Sequence, residues 1–497
     1  MLGTLRFWLA ALLAAASMGR AEETRIIALG RRPLLFADDS GVAARDGLVR
    51  MVHPARTRDL PVIEPDRVWE GARVYIYGSV YRDPVSGGFQ MWYNTRSVLE
   101  QGGHMAATGH VPALRENGAD LVLYATSSDG LRWVKPALGL FAYDGSKANN
   151  IVFDLSSASI LRDDFERDPA KRYKMLGTVR RAYYAAYSAD GLRWTSYPRN
   201  PVLPYSDTIT LAQDSVTGRY LAYHKRPATV RGYPRRVVWL STSPDFQTWS
   251  EPEQVLAPDA EDDAWVSGPS ERTEIYDMSV FSYASGFVGL PAVLRVMKER
   301  PRGEVRPGQS PLDGPIDTQL ATSEDGRIWH RSWPRLSVIP RGPPGAFDGG
   351  ALLGVASCPV DSGDETWVYY TAINTGHGAT LPPKRITIGQ AAWRRDGFVS
   401  LDAGPAGGSV TTRPLRFPSA EVFINADASR GALRVAVQEV DGRPIAGLGL
   451  DDSIPLSRDA TRAPARWRGA AGVPTDRPVR LMLAMTNVRL FSLSAAP

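Results

Sequence analysis

The sequence predicts an all-β protein: a five-bladed β-propeller over residues 30–403, followed by a β-sandwich over 404–497. Three observations carry that expectation. A turn of the form Ser-x-Asp-Gly-x-x-Trp recurs along the chain, each copy follows a pair of strand-like runs, and no long stretch shows apolar residues at a helical period.

The turn is written as Ser127-Ser-Asp-Gly-Leu-Arg-Trp133, Ser188-Ala-Asp-Gly-Leu-Arg-Trp194, Ser243-Pro-Asp-Phe-Gln-Thr-Trp249 and Ser323-Glu-Asp-Gly-Arg-Ile-Trp329, with a worn copy at Arg395-Asp-Gly-Phe398. The aspartates are 61, 55, 80 and 71 residues apart, spacings that mark one supersecondary unit repeated. Asp can bond the turn backbone, Gly supplies a positive φ, and Trp packs between strands. These residues shape the fold and are not expected to do chemistry.

The paired runs are Phe89–Tyr93 with Leu121–Ala125, Arg172–Leu176 with Tyr183–Tyr187, Arg219–Tyr223 with Val237–Ser241, Gly286–Leu290 with Thr318–Thr322, and Trp367–Thr371 with Arg385–Gly389. They are short, aromatic and β-branched, and Gly, Pro, Asp and Ser bound them, which is strand chemistry. A further strand precedes each pair, and four-stranded antiparallel units repeated radially make a propeller. After the joint Gly404-Pro-Ala-Gly-Gly-Ser409 the Asp turn disappears, and alternating strands such as Ala432–Gln438 and Val479–Ala484 fit a sandwich.

The start of the chain reads as a secretory signal over 1–21: Arg6, the ten-residue apolar run Phe7–Ala16, then small residues before Ala21. Ten residues are too few to span a bilayer of about 30 Å. The expected location is therefore secreted or periplasmic, with no membrane association once the signal is cleaved. Formal net charge is +5, of which Arg6 and Arg20 supply two, and no run of five like charges forms a nucleic-acid stripe. A single cysteine, Cys358, leaves no intramolecular disulfide. No His-x-x-x-His or cysteine cluster suggests a metal, and no cofactor is expected.

In a propeller the starts of the inner strands meet at a central funnel. Those positions hold Asp38 and Asp39, Glu70, Asp207, Glu274 and Asp277, and Asp348. Spacing alone does not separate Asp38 from Asp39. Carboxylates sharing a cavity push one another's pKa values apart, as a general acid and a base or nucleophile require. Cleavage of a glycosidic bond uses two of them. His224 and Arg226 close an early strand of the third blade, Arg295 follows its counterpart in the fourth, and His377 lies in the glycine-flanked Asn374-Thr-Gly-His-Gly378; all could complete a sugar site. Tyr77, Trp92 and Tyr93 are candidates to stack on a sugar face. Asp83 and Asp168, each before a proline, are read as turn residues.

On these repeated strands and turns the chain resembles the five-bladed propeller glycoside hydrolases of the family 32 and family 43 groups. The resemblance extends to the C-terminal segments Gly431–Val437, Asp441–Gly447 and Arg466–Gly469. It implies a nucleophile or base from the first blade, a second aspartate that supports the transition state, and a glutamate as general acid. By position these fall on Asp38, Asp207 and Glu274. The invertase-type Trp-Met-Asn-Asp-Pro-Asn-Gly motif and the Glu-Cys pair are absent. The implied activity is hydrolysis of a terminal, possibly furanosidic, bond in an oligosaccharide or glycoside. A sialidase-like hydrolase and a non-catalytic glycan-binding propeller are the alternatives.

Overall fold

The computed structural model describes residues 25–30, 32–97, 119–179, 182–205, 207–306, 309–332, 334–469 and 472–496. The proposed signal segment lies outside them. No helix among the described residues is long and apolar enough to cross a membrane. The chain separates into two compact units, one of Pro54–Ser282 with Phe287–Trp393, the other of residues up to His53, Tyr283–Gly286 and everything from Arg394 on.

The first unit is the propeller. Its blades, each an antiparallel meander, have inner strands at Val74–Tyr75 continued by Val80–Arg82, then at Ser156–Arg162, Ile209–Gln213, Arg272–Tyr283 and Ala351–Val355. The second and third strands of each blade overlap the paired runs read in the sequence, the run Thr318–Thr322 being split between Ile316–Thr318 and Ala321–Ser323; in the third blade Tyr220–Val230 and Tyr233–Ser243 pair along their whole length. The outer strand of the last blade is Arg56–Thr57, from the start of the unit, paired with Ala391 and Ala392. The first and last strands of this unit thus share one sheet.

Hydroxyl groups tie neighbouring inner strands into a ring. Ser79 donates to the Ile160 carbonyl, Ser159 accepts from the Leu211 amide at 3.0 Å, Thr210 donates to the Met278 carbonyl at 2.6 Å, and Ser279 donates to that of Val355. The Ser357 amide donates to the Gly78 carbonyl at 3.0 Å and completes the circuit. Small hydroxyl side chains satisfy backbone groups where inner strands meet without a continuous ladder, and a buried polar group left unpaired there is costly.

The Asp turns lock one blade to the next. Asp190 Oδ1 accepts from the amides of Leu192 and Arg193, both at 2.8 Å, and Ser188 Oγ accepts from Gly191 at 2.9 Å. The Gly191 carbonyl takes two indole donors, Trp194 from its own turn at 3.0 Å and Trp92 from the preceding blade at 2.7 Å. Tyr369 reaches Gly130 and Tyr223 reaches Gly326 in the same way. Gly191 has φ +74°, and a Cβ there would sit 2.5 Å from the Trp92 ring. Two independent constraints therefore select glycine. In the third blade Phe246 adopts φ +65° instead and is wholly buried. Trp92 and Tyr93 are core residues with no exposed surface.

The second unit has two antiparallel sheets around one apolar core. One sheet contains Leu34–Leu35, Leu48–Val52, Val399–Ala403, Val422–Asp427, Asp459–Pro464 and Val488–Ala495; the other contains Val42–Asp46, Gly408–Thr412, Ala432–Gln438 and Arg480–Thr486. Leu34, Val42, Leu401, Val410, Val435 and Leu483 meet in that core. This moves the expected boundaries. Residues before Pro54 belong here and not to the first blade, because Leu34 and Leu35 pair with Leu493 and Ser492. The worn fifth turn lies here too, and Asp396 itself takes the positive φ, +55°.

Candidate functional site

In an antiparallel blade, the start of the inner strand lies at the end opposite the Asp turn. At that end of the third and fourth blades, side chains converge on Tyr276, a residue of the inner strand Arg272–Tyr283. Lys225 Nζ lies 3.5 Å from the Tyr276 ring centroid, and the Arg236 guanidinium carbon lies 5.2 Å from it. Each cation carries a carboxylate. Lys225 pairs with Asp207 at 3.0 Å and Arg236 with Glu274 at 2.6 Å. The strand register explains the convergence: Lys225 and Arg236 sit on adjacent strands of the third blade, opposite Val238 and Pro227 respectively. The Lys225 side chain is 3% exposed while Asp207 is 52% exposed, so a buried cation holds an anion that faces solvent. A desolvated cation–π contact contributes about 2 kcal/mol.

Asp277, next along the strand, differs from Asp207 in every respect. It is buried, and neither carboxylate oxygen has a hydrogen-bond partner among the described residues. Burial raises its pKa to about 8, against the lowering effect of Lys225, and the charge of Asp207 raises it further. Asp277 Oδ2 and the Tyr77 ring both crowd the place where a Cβ on Gly354 would stand, at 2.6 and 2.7 Å. Burial also pushes the Tyr77 hydroxyl well up, with Tyr276, Asp277 and Asp207 adding to it. His377 meets Tyr276 edge-on at 5.1 Å. Burial, then the charge of Arg236, brings it down to about 3, so it stays neutral.

Glu274 is 1% exposed, and guanidiniums hold both of its oxygens: Arg236 on Oε2 and Arg272 on Oε1 at 2.9 Å. A carboxylate engaged in this way accepts from both guanidiniums. It borders a cavity of about 580 Å³. Above the third blade, Arg226 stacks on the exposed Tyr205 ring at 4.1 Å and on Trp239 at 5.0 Å.

Asp207, Glu274, Asp277, Tyr77 and His377 are thus brought together, and the other sequence candidates are not. Asp38 and Asp39 lie in the two-sheet unit, where Asp38 accepts from the Ser40 amide at 2.9 Å and Asp39 pairs with Arg45 and Arg50. Glu70 has no exposed surface and ties Tyr93, Lys135 and the amides of Asp66 and Arg67 together. His224 packs against Tyr183 inside the third blade, and burial brings it to about 3. Asp348 accepts from Tyr370 at 2.7 Å within the last blade, and burial raises its pKa. Arg295 is exposed on the strand Gly286–Val296.

Sequence reasoning missed Lys225, Arg236, Tyr276, Tyr205 and Trp239. Among the described residues no group of three or more His, Cys, Asp or Glu is placed to hold a metal.

No family model matches the chain, and no curated protein matches it by sequence. Solved structures do. The N-acetylgalactosamine deacetylase from F. plautii, in complex with blood group B trisaccharide, is 14% identical with TM-score 0.43, over 70% of this chain and 96% of its own. The α-L-arabinofuranosidase PaAbf62A from Podospora anserina is 10% identical with TM-score 0.40, over 69% and 96%. The Bombyx mori GH32 β-fructofuranosidase BmSUC1 is 10% identical with TM-score 0.38, over 98% and 97%.

Proposed function

We propose that the propeller unit is a glycoside hydrolase, acting on an oligosaccharide outside the cytoplasm, with Asp207 as base or nucleophile and Asp277 as proton donor. The observation that carries this reading is the contrast between the two carboxyl groups. They are near enough to feel each other's charge, yet Asp207 faces solvent beside Lys225 while Asp277 is buried and protonated at neutral pH. A buried, protonated carboxyl beside an exposed carboxylate group offers the two roles of acid and base, and glycosidic cleavage needs one of each.

This assignment moves the acid role from Glu274, whose oxygens are both bound by arginines, to Asp277. It requires that substrate binding uncover the Asp277 carboxyl, since catalytic hydrogen bonds commonly tighten only in the complex. Asp38 has no role in it. The Tyr205, Arg226 and Trp239 stack offers a face for a sugar ring.

The test is a screen of oligosaccharides and aryl glycosides, followed by variants of the three carboxyl groups. Asp207→Asn and Asp277→Asn are each expected to lose about 10³-fold in turnover of an unactivated glycoside. An aryl glycoside with an acidic leaving group should restore much of the loss in Asp277→Asn and none in Asp207→Asn. Full activity in Asp277→Asn with none in Glu274→Gln would return the acid role to Glu274.

A further inference from the structure

We propose that the cavity beside Glu274 receives the anionic group of a charged sugar, specifically a carboxylate such as a uronic acid carries. The inference rests on the glycan-active reading above and names the class of glycan. The cavity, about 580 Å³, is lined by Arg235, Arg236, Arg272, Arg300 and Arg302 against only two carboxylates, Glu274 and Glu299. A volume of that size accommodates a small ligand. Its apolar walls include Pro227, Pro234, Pro301 and Pro311, whose rings fix φ and keep the opening stiff.

The partners of the five arginines show where charge is left over. Arg235 is turned away, to Asp263 at 2.8 Å and the Thr273 carbonyl at 2.9 Å. Arg300 is bound by Asp313 at 2.9 Å and the Gly378 carbonyl at 3.2 Å. Arg236 and Arg272 share Glu274, and Arg272 also binds Glu299. Arg302 is exposed, and no carboxylate pairs with it among the described residues. Counted with Asp263 and Asp313, five guanidiniums therefore meet four carboxylates, Glu299 being half exposed and bound to Arg272 at 2.8 Å, and Arg302 is the cation left over. A planar carboxylate on the ligand would match the guanidinium fork, whose bidentate geometry selects carboxylate and other oxyanions over hydroxyls. Glu274 then serves to space Arg236 from Arg272, and it links this cavity through Arg236 to the Tyr276 cluster where the bond would be cut.

The experiment uses the full chain carrying Asp207→Asn, so that binding is read without turnover. Calorimetry compares uronic acid oligosaccharides, their carboxyl-reduced neutral counterparts and sulfated oligosaccharides. The uronates should bind at least about tenfold tighter than the neutral forms, as charge-assisted hydrogen bonds imply. That margin should narrow as salt rises from about 50 mM to about 500 mM. Adding Arg302→Ala should remove most of the margin while neutral binding and the melting temperature hold, because Arg302 is exposed and has no partner to leave stranded. Preference for the sulfated series over the uronates would overturn the carboxylate assignment. Equal affinity for charged and neutral sugars would overturn the inference alone. Absence of binding to every oligosaccharide would remove the glycan-active reading with it.

Discussion

At one end of the blades, each Asp turn closes on its own atoms within seven residues; at the other, Tyr276 gathers Lys225, Arg236 and their carboxylates from strands far apart in sequence. The Ser188–Trp194 turn has a partner for its Asp carboxylate, its Ser hydroxyl and its Gly carbonyl. The Tyr276 end holds a buried lysine, a carboxylate clamped by two arginines and a carboxyl with no hydrogen-bond partner among the described residues. A satisfied turn can be copied from blade to blade because it needs only its own residues and one aromatic donor. An arrangement of opposed charges and sealed carboxyl groups costs stability, and this one centres on the third and fourth blades. Repetition marks what holds the propeller together; departure from repetition marks where the proposed chemistry would sit.

The comparison is broken most directly by exchanging the expected costs of the two ends. Asp207→Asn removes a half-exposed charge at the irregular end and should cost about 10³-fold in turnover, with a smaller loss of stability because the buried Lys225 loses its counter-ion. A large fall in melting temperature with turnover per folded molecule intact would make that end structural as well. Gly191→Ala should do the reverse. The new Cβ meets the Trp92 ring at 2.5 Å while the residue must hold φ +74°, a combination expected to cost about 3 kcal/mol. Denaturant titration should show that loss, and the remaining folded protein should turn over at the native rate.

How far each end could be read from the sequence follows from the same contrast. The Asp turn was legible because its Asp, Gly and Trp contacts fall within one short window. From its recurrence, a repeated antiparallel β unit followed. Asp38 was misplaced because Leu34-Leu-Phe36 has the chemistry of an inner propeller strand, whereas its actual partner, Val488–Ala495, lies at the far end of the chain. Lys225 and Arg236 lie within strands and not at strand starts, so only the pairing register brings them over Tyr276. Asp277 stood beside Glu274 in the sequence, but the difference between them is burial, which no local pattern records.

Asp277 sharpens the comparison through pH. Its pKa in the folded chain, about 8, stands above the ordinary 3.8. Between those values the folded chain keeps a proton that the unfolded chain has released. Stability contributed by this group is therefore full below about 4, falls as pH rises, and levels off above about 8. Asp277→Asn has no proton to lose. Its melting temperature should match the native protein near pH 4 and exceed it at pH 8, with the gap opening steadily in between. A gap that stays constant across that range would show the carboxyl to be hydrated or paired, and the proton-donor role would go with it.

The smallest effect isolates what the interblade lock adds. Gly145 has φ +76°, almost the same as Gly191, but a Cβ there would meet nothing within 4 Å. Gly145→Ala therefore carries the backbone strain alone, about 1 kcal/mol, without the collision. The difference between the two alanine variants in denaturant midpoint measures the close approach of Trp92 to the turn, separate from the glycine's conformational freedom. If both variants lose the same amount, the Trp92 contact contributes nothing beyond φ, and the turns would fix the hairpins without joining the blades. If Gly191→Ala loses more, the carbonyl shared by Trp92 and Trp194 is what makes a seven-residue turn a joint between blades. That requirement to serve two blades at once would be the physical reason the motif recurs so closely.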